Sequence, residues 1–175
     1  MQSPVDIALE KLVKADVMKL IGTEYAEFAK TSIKDKAISI SSGLLSLTHW
    51  DGLESNFSPL QMHFHAPSEH TIDGKHFDLE VHLVHKRLEA TEPELVLAFI
   101  FDLEIGGDVE NLLLADLTFS GENTNEEVSV YQLGQFLETV DFQEFFSYTG
   151  SLTTPPCTEE ILWCVVGQIQ PISRE

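Results

Sequence analysis

Six of the chain's seven histidines fall between residues 63 and 85, within QMHFHAPSEHTIDGKHFDLEVHLVH (61–85). His63-Phe64-His65 is an H-x-H with apolar neighbours. Side chains on a strand alternate faces with period 2, so both imidazoles point to one side, together with Gln61. The run Leu79 to His85 alternates again and puts Glu80, His82 and Val84 on one face. Two histidines from one strand and a third from its neighbour can converge on a point. That is the geometry of a three-histidine zinc site whose fourth position stays open to water. A lone histidine in a strand is ordinarily structural, and an H-x-H also arises on solvated faces. The neighbouring residues favour the metal. Polar groups on a face meant for burial need a metal or a hydrogen-bond network to satisfy them. Gln61 and Glu80 each lie two positions from a histidine on its own face, where groups that orient metal-bound imidazoles belong.

The elements that must position these residues are mostly strands. Ile72-Asp73-Gly74-Lys75 reads as a turn, so the two histidine-bearing runs are expected to pair as a hairpin. Residues 94–101 (ELVLAFIF) are continuously apolar and suit a central strand covered on both faces. Lys36 to Ser41 alternates as a strand, and Ile161 to Val166 is a further apolar strand. Residues 8–30 have helix-forming composition and a spacing tolerable for a helix. A short helix-like stretch follows Gly106-Gly107-Asp108, from Val109 to Leu117. Short helices or turns over 130–147 feed a loop from Tyr148 to Pro156.

At 175 residues the chain is long enough for one domain, 1–175, with a sizeable core. There is no 18-residue apolar run, so no membrane span is expected, and no signal peptide is read at the N-terminus. Acidic residues number 29 against 10 basic, a net charge of −19. That balance argues against nucleic acid or an anionic membrane as partner. The sequence shows no internal repeat, low-complexity tract or linker. Two cysteines are too few for a disulfide framework. Cys157 and Cys164 are placed on one strand, where their separation is roughly 23 Å, too far to bridge.

QMHFHAPSEHTIDGK with LEVHLVH, then GSLTTPPCTEEILW at 150–163, resembles the α-class carbonic anhydrases. The opening Gln2-Ser3-Pro4-Val5-Asp6-Ile7 is similar to that family's QSP-[IV]-[DN]-I segment, and the resemblance runs from residue 2 to about 172. It implies a mainly β fold, with a large twisted, mostly antiparallel central sheet and a few short peripheral helices. It also implies extended, irregular chain over 8–30, against the local helix propensity. The implied activity is reversible hydration of carbon dioxide to bicarbonate and a proton, with Zn2+ as cofactor. Zinc on three neutral imidazoles makes a hydroxide nucleophile from water at neutral pH, behaviour for which carbonic anhydrase is itself the standard example.

Carried over residue by residue, the resemblance makes His63, His65 and His82 the zinc ligands. Gln61 and Glu80 become the acceptors behind His63 and His82. Thr153 would accept a hydrogen bond from the attacking oxygen and donate one to Glu69, since an ionised carboxylate can only accept. The two prolines of TTPP also make a rigid turn, and both readings hold together. The apolar substrate wall matches Val84, Leu152 and Trp163, with Thr154 beside them, and with Leu97 or else Val96 from the central strand. His70 and His85 match structural positions, His76 reads as a solvated turn residue, and His49 as a loop residue.

The departures matter equally. Fast members carry an N-G-H segment whose histidine relays protons to solvent. Here Lys34-Asp35-Lys36 puts Lys36 at that shuttle position. A lysine near its usual value of about 10.4 relays poorly at neutral pH, whereas histidine at about 6.5 is matched to it. The family's N-terminal tyrosine segment and roughly forty C-terminal residues, which include a strand threaded into the sheet, lack counterparts. Self-association or a partner chain completing the sheet is therefore expected, as is lowered stability. A catalytically weak or silent zinc-binding scaffold is the alternative to an enzyme. In secreted members the cysteine after TTPP pairs with one upstream of QSP, so Cys157 leans towards a secreted or periplasmic setting.

Overall fold

The structure is a computed structural model that describes residues 2–13, 19–24, 30–34, 37–40, 43–48, 53–106, 110–115, 127–129 and 133–173. Its centre is a block of three long strands: β6 (Glu54–His65), β8 (Leu79–Arg87) and β9 (Leu95–Asp102). β6 pairs antiparallel with β8, and β8 antiparallel with β9. Every residue of β9 is buried, as its unbroken apolar run requires. Beyond it β12 (Glu159–Val166) pairs parallel with β9, and β11 (Phe145–Ser151) pairs antiparallel with β12. On the other flank β4 (Ala37–Ser39) and β5 (Leu44–Thr48) both pair with β6. β2 (Lys19–Glu24), β3 (Lys30–Lys34), β10 (Glu127–Ser129) and β13 (Gln170–Pro171) complete an 11-stranded sheet among the described residues. A separate small parallel pair joins β1 (Asp6–Ile7) to β7 (Thr71–Ile72).

Period-2 alternation divides this sheet into two apolar layers. Met62, Val81, Leu83, Leu97, Phe99 and Cys164 face one layer, which α2 (Leu133–Thr139) covers with Leu133, Phe136 and Leu137. Val84, Val96, Ala98, Ile100, Trp163 and Val165 face the other. Full burial of such a side chain contributes about 1.5–3 kcal/mol, and the largest, Trp163, is 1% exposed. β6 and β8 thus send Met62, Val81 and Leu83 to the first layer, and His63, His65 and His82 to the face of the second.

Local propensity fails where 8–30 is described, residues 14–18 and 25–29 lying outside the described residues. Among the described residues there is a 3₁₀ turn (Leu9–Lys11), while β2 is extended and paired to β5, and β3, which follows, is paired to β4. Cross-strand pairing overrides the helix preference of the composition, as tertiary context commonly does. The Asp73-Gly74 turn forms as expected, with φ of 48° and 75° and reciprocal backbone bonds between Ile72 and Lys75. It sits at the tip of a 13-residue excursion (66–78) between the histidine strands and does not join them directly. Tyr148 belongs to β11, so the expected Tyr148–Pro156 loop begins only after Ser151. Cys157 lies in the turn before β12, with φ of 57°, and not on one strand with Cys164; both thiols are free. The expected Val109–Leu117 helix is a turn where described, at 112–115, and α1 (Leu103–Gly106) precedes it.

Candidate metal centre

Register sets the site. His63 lies directly opposite His82, and His65 opposite Glu80, so the pleat stacks three imidazoles on one face of β6 and β8. Their ring centroids are 4.6 to 5.1 Å apart. One ligand nitrogen from each falls within 4.8 Å of the others, and His82 Nδ1 is 3.3 Å from His63 Nε2. His65 Nε2 is buried without a hydrogen-bond partner. An unsatisfied buried polar atom costs about 1–3 kcal/mol, and a metal ion here would satisfy it. Three neutral nitrogens in a convergent set suit zinc.

Burial keeps the His63 and His65 rings neutral. Burial, then repulsion from His82 and His65, pushes the His63 imidazole down to about 3. His65 is lowered by burial first and by His82 second, with Glu69 and Glu80 opposing. Their lone pairs are therefore available at neutral pH.

Glu80 decides which nitrogen of His82 faces the cluster. The carboxylate is 0% exposed. It lies 2.6 Å from His82 Nε2 and 2.6 Å from His70 Nδ1, and accepts the His70 backbone N–H at 2.8 Å. Burial raises its pKa, but the bonds from His70 and His82 outweigh that and hold it well below the usual carboxylate range. With Nε2 engaged, Nδ1 of His82 is left to bind. The Trp163 ring packs edge-on against both His82 and His70 at 4.9 Å, and its Nε1 donates to the Ser151 carbonyl at 3.0 Å.

A pocket of about 60 Å³ opens beside His63 and His82. Gln61, Thr153 and Thr154 supply its polar lining, and Val84, Val96, Leu152 and Trp163 its apolar wall. Leu97 is a correction. Val96 is paired with Val84 and Trp163, which turns Leu97 to the opposite face, against the first layer. Pro93 also lines the pocket; it sits just before β9, where strand periodicity gives no signal. Two expected supports are not formed. His63 Nδ1 has no hydrogen-bond partner, so Gln61 does not reach it, and Glu69 Oε2 has none, so Thr153 is not bonded there. Glu69 instead sets Oε1 3.4 Å from His65 Nδ1 and Oε2 4.0 Å from His82 Nδ1. His70 and His85 are fully buried away from solvent, and exposed His76 bonds the Ser68 carbonyl at 2.7 Å. Lys36 and His49 lie outside the described residues. No helix among the described residues is long and apolar enough to cross a membrane.

Residues 1–175 match the family of eukaryotic-type carbonic anhydrases. A carbonic anhydrase from Nostoc sp. is 34% identical over 174 residues, covering 94% of this chain and 62% of its own. Among solved structures, dioscorin complexed with ascorbate superposes with a TM-score of 0.80 at 27% identity, covering 99% of this chain and 72% of its own. The α-carbonic anhydrase of Thermovibrio ammonificans, solved with the inhibitor sulfanilamide, gives 0.74 at 29%, covering 99% and 74%. The chain spans 45 to 63% of the length of the first three curated relatives it matches. With the family's sheet, and with three histidines on one face of two of its strands, the chain belongs to the α-class carbonic anhydrases.

Proposed function

We propose that this chain is a zinc enzyme that reversibly hydrates carbon dioxide to bicarbonate and a proton. The observation that carries this reading is the convergence of His63, His65 and His82 at a pocket with an apolar wall. Those three residues would hold the metal. When bound there, zinc supplies a Lewis acid that generates a hydroxide nucleophile from water at neutral pH. Glu80 holds His82 in the binding tautomer, and Trp163 fixes its ring plane. Val84, Val96, Leu152 and Trp163 offer an apolar wall to an apolar triatomic substrate. Thr153 and Glu69, both beside the histidines, orient the attacking oxygen once Thr153 donates to Glu69. Proton release to solvent limits turnover, because the shuttle position holds Lys36.

A second reading is supported by the unmade Thr153–Glu69 bond: a zinc-binding domain of this fold with little or no hydration activity. Metal analysis with stopped-flow hydration separates the two. One zinc per chain, with activity that His82→Ala abolishes, supports the enzyme. One zinc without hydration supports the binding domain, and no zinc removes both.

A further inference from the structure

The groups that hold His82 do not end at Glu80. His70, itself fully buried, lies between Glu80 and Tyr148, with its Nε2 2.7 Å from the Tyr148 hydroxyl. With Nδ1 donating to Glu80, Nε2 accepts from the Tyr148 hydroxyl, whose oxygen lies 3.0 Å from Ser3 Oγ, and Ser3 Oγ accepts the Ser151 backbone N–H at 3.1 Å. The Ser3 backbone N–H returns the bond to Ser151 Oγ at 3.1 Å, where Gln2 Nε2 also donates at 3.0 Å. An unbroken run of hydrogen bonds therefore links the Gln2–Ser3 segment to a candidate metal ligand across most of the chain length. The Tyr148 ring stacks on Trp163 with an interplanar angle of 6°, and Trp163 lies against His82. Hydrogen bonds and ring packing thus run from β11 to the same imidazole.

We propose that Ser3 and Tyr148 are positioning residues for the metal, and that docking of the Gln2–Ser3 segment is coupled to zinc retention. The proposal rests on the reading that His63, His65 and His82 hold zinc. Glu80 can present one geometry to His82 only while His70 fixes its other side. His70 in turn is held from turning by the Tyr148 hydroxyl, which Ser3 anchors. Partners of this kind tune affinity because they set the orientation and basicity of the ligand ring. Linkage makes the effect reciprocal: if docking tightens zinc, zinc tightens docking by the same factor. A chain of mutually dependent bonds also predicts non-additivity, since cutting it once removes what a second cut would remove.

The test uses the full chain, Tyr148→Phe, Ser3→Ala, and the double variant. Tyr148→Phe deletes one oxygen and keeps the ring against Trp163. Zinc transfer to a chromogenic chelator is timed, and melting is followed with and without zinc. Each single variant is expected to release zinc about tenfold faster, the double variant no faster than the singles, and the rise in melting temperature on adding zinc to shrink in each. Release at the parent rate overturns the proposal, as do single effects that multiply in the double variant or a loss of melting temperature equal with and without zinc. A parent chain that binds no zinc, or a His82→Ala chain that binds it equally well, overturns the metal centre and the relay together. A zinc-binding parent with unaltered variants overturns the relay alone.

Discussion

Glu80 is a buried carboxylate with three donors and no exposure. Glu80→Gln keeps the size but turns one acceptor into an amide that faces a ring N–H. Zinc affinity should fall about 10–100-fold, read by competition with a chelator, and the metal-free protein should lose on the order of 1–3 kcal/mol, read by denaturant titration. Unchanged affinity would mean that His82 is oriented by packing against Trp163 alone. Lys36 gives a second expectation at this scale. In weak buffer, Lys36→His should raise the turnover number severalfold, and added imidazole should raise that of the parent and not of the variant. No response to imidazole in the parent would show that proton transfer is not limiting.

At the level of elements, the histidine strands were legible because they alternate. H-x-H in β6 and E-x-H-x-V in β8 carry their facing in the sequence, and pairing His63 with His82 follows from burying the other face. β9 carries no such mark. Its residues from Leu95 to Phe101 are all apolar and buried, so the sequence cannot choose between Val96 and Leu97; register against β8 and β12 chooses. β2 was hidden for a different reason, since it lies in a stretch of helix-forming composition and is held extended by β5, a partner distant in sequence. The facing of β9 has measurable consequences. Val96→Phe should fill the pocket and cut hydration at least tenfold while zinc content stays at the parent value. Leu97→Ala should leave the pocket intact and cost about 2–5 kcal/mol of stability. The reverse pattern, with Leu97 governing turnover and Val96 only stability, would invert the assigned faces.

The whole molecule carries a net charge of −19, with 29 acidic residues against 10 basic, and it buries imidazoles, His85 and His82 among them. These two features respond oppositely to acid. Self-repulsion among carboxylates destabilises the compact state, and salt screens it. Between about 10 mM and 150 mM salt the screening length falls from roughly 30 Å to about 8 Å, so the melting temperature at pH 7.5 should rise by several degrees. The histidines act with the other sign. Burial pushes His85 down to about 3, and the unfolded chain binds that proton at about 6.5. Over that window the unfolded state holds more protons, so stability increases with pH and is lost as pH falls from about 6.5 towards 3. His63, also lowered to about 3, adds to the slope in the metal-free form. Acid relieves repulsion most where the carboxylates titrate, near pH 4, well below the start of the histidine loss. Metal-free protein at 150 mM salt should therefore begin to lose stability near pH 6.5, before any relief from carboxylate protonation. His85→Gln, which cannot charge, should flatten that upper part of the profile. A parent profile level from pH 7 to 5 would mean that His85 is protonated in the folded state.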